Sequence, residues 1–133
     1  MSTILALHTR HANARHAGSI ADLDTGTGNA AVQIYGGIRA ATPATVPGSA
    51  MLTQITLTKP CGTVVDGVLT LTQLEDGLIL ETGLATWARF VNGNGDAAFD
   101  CDAGEGVGDW VVQLAQAQLY AGGDARIVSA VLG

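Results

Sequence analysis

The stretch of sequence that decides the fold is residues 87–101, WARFVNGNGDAAFDC. Its first five residues alternate between two faces, with Trp87, Arg89 and Val91 on one and Ala88 and Phe90 on the other. A period of two is typical of a β-strand. Asn92-Gly93 then supplies the positive φ angles that a type I′ hairpin turn requires, and residues 98–101 are predicted to be the return strand. The segment therefore predicts a β-hairpin.

The same alternation recurs on both sides of this hairpin, most clearly where leucine or isoleucine alternates with threonine. Six further segments show strand character: 32–35, 51–58, 69–72, 78–80, 110–114 and 126–132. Turn-forming clusters separate them, and Lys59-Pro60 is predicted to close the strand at 51–58. About seven or eight short strands at this spacing predict an all-β fold. We expect an antiparallel β-sandwich, jelly-roll-like, because the runs are too short and too polar on one face for a parallel sheet.

Residues 8–23 have helical rather than strand spacing. Ala14, Ala17 and Ala21 recur at intervals of three and four residues, and Ile20 and Leu23 widen this apolar stripe. The turn-forming run at 24–29 ends the segment. We therefore divide the chain into an N-terminal arm or short helix at 1–23 and a β-sandwich domain at 24–133.

The composition argues against several classes of protein. The chain has 133 residues, of which 47% are hydrophobic and only 14% charged, with 18 glycines. So little charge argues against a helical bundle with charged outer faces. The net charge is −6, and an acidic chain without a cluster of lysine or arginine is a poor nucleic-acid binder. No apolar run approaches the ~18 residues of a membrane span, so no membrane association is predicted.

The two cysteines, Cys61 and Cys101, are too few for a disulfide framework. The first residues carry neither a basic region nor a long apolar region, so no secretion signal is predicted. We expect synthesis in the cytoplasm with reduced thiols, and we interpret both cysteines as small core or turn residues. No metal or other cofactor is predicted.

Charge is unevenly distributed along the chain. Residues 1–16 contain Arg10 and Arg15 and no acid, whereas the remaining residues sum to −8, with 4 bases against 12 acids. A weakly basic arm therefore precedes an acidic body. The arm is either a solvated terminus or a segment that lies on the acidic surface of a neighbouring subunit.

Asp24-Thr25-Gly26 matches the catalytic triplet of aspartic proteases, in which two carboxylates share a proton and activate water. One copy in a chain of this length resembles a retropepsin, whose homodimer supplies the second aspartate. That mechanism needs the triplet at the end of a buried apolar strand, whereas the residues before Asp24 have helical spacing. The late apolar-apolar-glycine segment of retropepsins has only Val131-Leu132-Gly133 as a candidate. The protease is therefore the alternative reading, and a non-enzymatic role is preferred.

Two clusters of metal-binding residue types occur. The first cluster lies among glycines and has the oxygen ligands that calcium prefers: Asp100, Asp102, Glu105 and Asp109. It does not fit the EF-hand pattern, because position 12 counted from Asp100 is Val111, where an EF-hand loop has glutamate. A solvated acidic loop is the favoured interpretation. His8, His11 and His16 have no nearby cysteine or paired acid, so a zinc site is not predicted.

The two tryptophans raise the question of a sugar-stacking platform. Trp87 lies in an otherwise apolar strand and is interpreted as a core residue. Trp110 follows the acidic loop, and its role stays open. A glycan-binding component is therefore a further alternative.

The order of segments resembles a family of small phage virion proteins. Residues 26–45, GTGNAAVQIYGGIRAATPAT, carry a turn, an apolar-x-Ile-Tyr strand and a loop rich in glycine, arginine, proline and threonine. A threonine-bearing strand at 51–58, the strand ATWARFV at 85–91 and the Asn-Gly hairpin continue the likeness over most of the chain. The segment 115–125 departs from the family's usual tail, so the resemblance is weakest for the last strands.

This resemblance implies a capsid cement or decoration protein, a jelly-roll-like sandwich that bridges major capsid protein subunits, often as a homodimer. It implies location on the virion capsid surface after synthesis in the host cytoplasm, and no enzyme activity. A position at the neck or tail is the alternative location. The expected contact residues lie in the arm and in the loop at 36–50: Arg10, Arg15, Arg39, Pro43 and Pro47.

Overall fold

A computed structural model describes residues 8–132 of the chain. Within this range there are one helix and eleven strands, most of them short. Their bounds are α1 (Thr9–Leu23), β1 (Ala31–Tyr35), β2 (Met51–Val65), β3 (Val68–Gln73), β4 (Gly77–Leu78), β5 (Gly83–Leu84), β6 (Trp87–Val91), β7 (Ala97–Glu105), β8 (Val112–Leu114), β9 (Gln118–Leu119), β10 (Asp124–Ala125) and β11 (Ile127–Leu132). The all-β prediction with a short N-terminal helix is confirmed.

The main sheet closes on itself. Its order is β1-β2-β3-β11-β8-β7-β6, and β1 pairs with β2 on one side and with β6 on the other. The expected jelly-roll-like sandwich is thus replaced by a seven-stranded barrel. The sequence pattern does not separate the two folds, because inward and outward residues alternate in both. Closure leaves this sheet without a free edge.

The prediction of a purely antiparallel sheet is wrong at one pair. β7 and β8 run parallel, with Ala103 opposite Val112, although only residues 106–111 connect them. Parallel neighbours normally need a long crossover. Here a glycine-rich loop folds back, and a Cβ at Gly104 or Gly108 would lie 2.5 or 2.3 Å from the ring of Trp110. The missing Cβ atoms make room for this ring.

Strand β2 continues past the predicted stop at Lys59-Pro60. The bond between these residues is cis, and it lies where the pairing with β3 shifts between Leu57 and Gly62. Proline lacks an N–H, but at such an irregularity no ladder hydrogen bond is required of it. The strand therefore extends to Val65.

The predicted hairpin of β6 and β7 forms, but its turn is not type I′. Of the loop residues 92–96, Gly95 has a positive φ, and the side-chain oxygen of Asn92 accepts from Asn94 N–H and Asp96 N–H. The two-residue turn with positive φ at both positions is instead Asp66-Gly67, between β2 and β3. Asp-Gly is a favoured pair for such a turn.

Helix α1 lies against β2 and β3 with a different face from the one expected. The partly or fully buried side chains are Ala12, Asn13, His16, Ser19, Ile20 and Leu23, whereas the predicted stripe of Ala14, Ala17 and Ala21 is exposed. Asn13 Oδ1 accepts from Gly67 N–H at 2.7 Å, and His16 Nε2 donates to Gly67 O at 3.0 Å. The helix uses polar contacts with the β2–β3 turn, which a search for apolar residues misses.

The interior of the barrel is apolar. Its largest fully buried side chains include Phe90, Ile34, Ile55, Leu57, Leu69 and Leu114, and Leu23 of α1 joins them. Both cysteines are free and buried, as predicted. Helix and barrel therefore share one core. Residues 1–7 of the predicted arm (1–23) and residue 133 of the predicted β domain (24–133) lie outside the described range.

Candidate functional site

One end of the barrel gathers its longest loops. Antiparallel pairing brings the end of β1 next to the starts of β2 and β6, and β7 ends on the same side. We call the residues there, 36–50, 80–86, 106–111 and 116–121, the loop end. The last group belongs to it because β9 pairs with β5 and Ala121 N–H donates to Thr82 Oγ1 at 3.0 Å.

The loop end exposes large apolar side chains. Ile38 is 94% exposed and Val107 is 91% exposed. Four more are over half exposed: Val46, Leu80, Leu84 and Tyr120. These six are half of the large apolar side chains that are exposed in residues 8–132, and the other six are spread over β2, β3, the β3–β4 turn, β4 and β11. A contiguous exposed apolar patch marks a surface that binds other molecules. The arrangement can bury apolar surface against a partner.

Loop 36–50 is tied to the barrel near its start. Thr86 Oγ1 donates to Gly37 O at 2.6 Å, and Trp87 Nε1 donates to Gly36 O at 3.2 Å. Ser49 Oγ closes the loop on itself by donating to Gly36 O at 2.9 Å. The loop therefore has fixed points although most of its residues are exposed.

Arg89 provides a further fixed point from beneath. Its side chain and that of Asp100 are only 8% and 6% exposed. Arg89 Nε and Nη2 donate to the two oxygens of Asp100 at 2.8 and 3.0 Å, and Nη2 also donates to Thr42 O at 3.2 Å. The hydrogen bonds to Asp100 raise the pKa of Arg89, so this guanidinium is charged at all physiological pH values.

The predicted contact residues fall on two separate parts of the barrel. Arg10 and Arg15 are exposed on α1, which packs on β2 and β3. Arg39, Pro43 and Pro47 lie in loop 36–50, and Arg39 Nη1 contacts Asp102 Oδ1 of β7 at 3.2 Å. The helix therefore lies over β2 and β3, whereas the loop contacts β7. Around the closed barrel, β2 and β3 are separated from β6 and β7 by β1 on one side and by β11 and β8 on the other. The structure thus does not bring the five residues together.

Asp24 lacks the surroundings of a protease aspartate. It is the residue that caps the C-terminus of α1, and Thr25 Oγ1 donates to Ala21 O at 2.9 Å. Asp24 Oδ1 accepts from Cys61 N–H at 3.1 Å. The triplet ends a helix and not an apolar strand, so its carboxylate serves as a hydrogen-bond acceptor. Of the late candidate segment, Val131 and Leu132 belong to β11, and Gly133 lies outside the described residues.

The acidic residues of β7 are used within the protein. Asp100 binds Arg89, Asp102 contacts Arg39, and Glu105 Oε1 accepts from Ala117 N–H at 3.1 Å. Between residues 8 and 132, no group of histidine, cysteine or acidic side chains is placed to hold a metal ion. In the same range no helix has the length and hydropathy to cross a membrane.

His8, His16 and both tryptophans have structural partners. His8 Nδ1 accepts from Arg10 N–H at the start of α1. Trp87 is buried, as predicted, but on the outer face of β6 beneath loop 36–50 and not inside the barrel. Trp110 Nε1 donates to Gly106 O at 2.8 Å and its ring covers Gly104 and Gly108. One face of Trp110 is thus occupied by its own loop.

A shallow cleft lies beside β9 and β10. Its volume is about 370 Å³, and its lining residues are Asp76, Ala115, Gln116, Leu119, Asp124, Ala125 and Arg126. It contains no cysteine, serine or histidine to act as a nucleophile or base. A binding groove of small size is the most that this chemistry supports.

Sequence reasoning missed the residues that hold the loop end together. A signal for the Arg89–Asp100 pair exists, because Arg89 lies three residues before the 92–96 turn and Asp100 four residues after it, which are nearly symmetric positions of the hairpin. Phe90 and Phe99 are placed in the same way, and they pair and stack at 4.5 Å. Opposite charges at symmetric positions of a hairpin predict a cross-strand ion pair. The exposure of Ile38 and Val107 has no comparable signal.

Comparison of the chain with protein-family models, with curated proteins and with solved structures finds no match in any of the three.

Proposed function

We propose that this protein is a non-catalytic assembly component of phage virions, of the capsid decoration type, and that it attaches through the loop end. The observation that carries the proposal is the gathering of exposed apolar side chains at one end of a closed barrel. The sequence resemblance to small virion proteins supplies the class of partner, the major capsid protein. A homodimer is part of the proposal, since isologous contacts are the simplest symmetric solution.

The magnitudes favour attachment through several side chains together. Burying one fully exposed Ile, Leu or Val side chain contributes roughly 1.5–3 kcal/mol. Association itself costs on the order of 4–15 kcal/mol. A single exposed residue such as Ile38 is therefore insufficient, whereas the six apolar side chains of the loop end, buried at once, contribute a free energy of the same order as this cost.

The experiment is an add-back assay with capsid shells from the phage that encodes the chain. Shells lacking this protein are mixed with the purified chain, sedimented, and analysed for bound copies per major capsid subunit. We expect saturable binding in a simple ratio. The variant Ile38→Ser/Val46→Ser should bind about ten-fold or more weakly, since it removes two apolar anchors.

Val128→Ser/Val131→Ser is the matched control, because these valines are exposed on β11, outside the loop end. It should bind like the wild type. Binding to purified necks or tails but not to shells would move the protein to the alternative location. Absence of binding to every virion part, by a folded wild-type protein, would contradict the proposal.

A further inference from the structure

The Arg89–Asp100 ion pair is buried, yet it is not part of the barrel interior. Along β6, Ala88 and Phe90 point into the core, so Arg89 lies on the outer face. This face would be open to solvent without loop 36–50. The pair is thus a charged group enclosed between the barrel wall and a loop that is otherwise exposed.

Burial of this kind is a poor way to stabilise a barrel. The free energy needed to remove two charges from water can equal or exceed the free energy that their attraction contributes. A protein with an apolar pair of similar size in place of the ion pair is often equally stable or more stable. The neighbouring position on β1 carries no charge, since Gln33 pairs with Gln54 of β2 through an exposed hydrogen bond of 3.1 Å. The charges on β6 and β7 therefore call for a different explanation.

The geometry around Arg89 supplies that explanation. Asp100 fixes the guanidinium plane through two hydrogen bonds, which leaves Nη2 aimed at the carbonyl of Thr42, the middle of the loop. The guanidinium also lies 5.5 Å from the ring centre of Trp87, whose own Nε1 binds Gly36 O. Two fixed points, at Gly36 and Thr42, therefore flank Ile38.

We infer that Arg89 and Asp100 are positioning residues, which hold loop 36–50 in one conformation so that Ile38 and Val46 are presented ready to enter apolar pockets of a partner. A loop ordered in advance loses less entropy on binding. That the loop docks on a partner rests on the proposed function; that Arg89 and Asp100 hold it does not.

The test compares the wild type with Arg89→Met/Asp100→Leu, in which both charges are replaced by apolar groups of similar size. Trypsin cleavage after Arg39 reports on the loop, and cleavage after Arg126 is the internal reference. We expect cleavage after Arg39 to accelerate by roughly ten-fold or more, because cleavage follows the population of open loop. The rate at Arg126 and the unfolding midpoint should stay within error of the wild type.

Gln54→Met is the matched control, because it removes a hydrogen bond from the same outer face and leaves Gln33 in place as the acceptor of Tyr35 OH. It should leave cleavage after Arg39 unchanged. Unchanged cleavage in the Arg89/Asp100 variant would overturn the inference, and so would equal acceleration at both sites, which indicates a role in the barrel. A wild type that does not bind shells would contradict only the proposed function, since the cleavage result does not depend on binding.

Discussion

Tyr35 of β1 stacks on Trp87 of β6, with ring centroids 4.5 Å apart and an angle of 18° between the planes. The two residues are directly paired across the strands on the outer face of the barrel. Tyr35 OH donates to Gln33 Oε1 at 2.9 Å, and burial raises the pKa of Tyr35 above its ordinary value. This pair is a second apolar cluster that joins the barrel wall to loop 36–50.

Replacement of Trp87 should destabilise the protein strongly. Trp87→Ala removes a ring that is 1% exposed, and we expect a loss of about 3–5 kcal/mol in the free energy of unfolding, as for other buried aromatic residues. Trp87→Phe keeps a stacking partner for Tyr35 but loses the hydrogen bond to Gly36 O, so a smaller loss is expected. Urea denaturation measures both. Equal losses would contradict a stabilising role for the stacked pair.

Glycines beneath Trp110 should not tolerate a methyl group. Gly104→Ala places a Cβ 2.5 Å from the ring of Trp110, so either the ring or the parallel β7–β8 pair must move. We expect a lower unfolding midpoint and a changed tryptophan emission maximum, since Trp110 becomes more exposed. Gly18→Ala is the control, with nothing within 4 Å of the added Cβ. In the middle of α1 it should stabilise the protein by up to about 1 kcal/mol.

Both thiols should resist thiol–disulfide exchange in the native state. Burial is the main cause that raises the pKa of Cys61 and Cys101 from 9.0 to about 12. The thiolate is the reactive form, so Ellman's reagent at pH 8 should react with neither cysteine until denaturant is added. Rapid reaction of the native protein would contradict the buried placement.

The same pKa shifts predict a loss of stability in alkali. A thiol whose pKa is raised in the folded state keeps its proton there, while the same thiol in the unfolded chain loses it. The contribution of the thiol to the free energy of unfolding is therefore fully present below pH 9.0 and is lost between pH 9.0 and about 12. Each cysteine should lower the free energy of unfolding by about 1.4 kcal/mol per pH unit in this range. Cys61→Ala and Cys101→Ala should each reduce that slope when denaturation is followed against pH.

Asp24 should matter for folding and not for catalysis. Asp24→Ala leaves Cys61 N–H without its acceptor, and we expect a loss of about 1–3 kcal/mol. Asp24→Asn keeps an oxygen acceptor, so its stability should stay close to that of the wild type. The pKa of Cys61 should fall in both, because the Asp24 carboxylate contributes to raising it. Peptide cleavage that the wild type performs and Asp24→Asn does not would establish the protease alternative instead.

The sequence predicted those elements in which one physical rule dominates. The alternation in residues 87–91 predicted the faces of β6, and the turn-forming run at 92–96 predicted the place of the hairpin, although the turn is not the type I′ turn expected from Asn92-Gly93. The extension of β2 past Pro60 was not predictable in this way. The extension depends on the register shift in the pairing between β2 and β3, and that pairing is a tertiary contact that no local pattern predicts.

The candidate site was predicted in part. Loop 36–50 was identified from its prolines and glycines, but its attachment by Arg89 depends on β1 pairing with β6. The basic residues Arg10 and Arg15 were grouped with Arg39 because sequence analysis has no measure of position around a barrel. Only the closed strand order separates the two sets.

By itself the sequence determined an all-β chain with an N-terminal helix, because side-chain alternation and turn residues act between neighbouring residues and can be recognised directly in the sequence. Tertiary structure decided that the sheet closes into a barrel, that Asp24 accepts a hydrogen bond from Cys61 N–H, and that Ile38 and Val46 are exposed on a loop held by Arg89 and Asp100. These features arise from contacts between residues far apart in the chain, and their free energies depend on burial and geometry that no local pattern records.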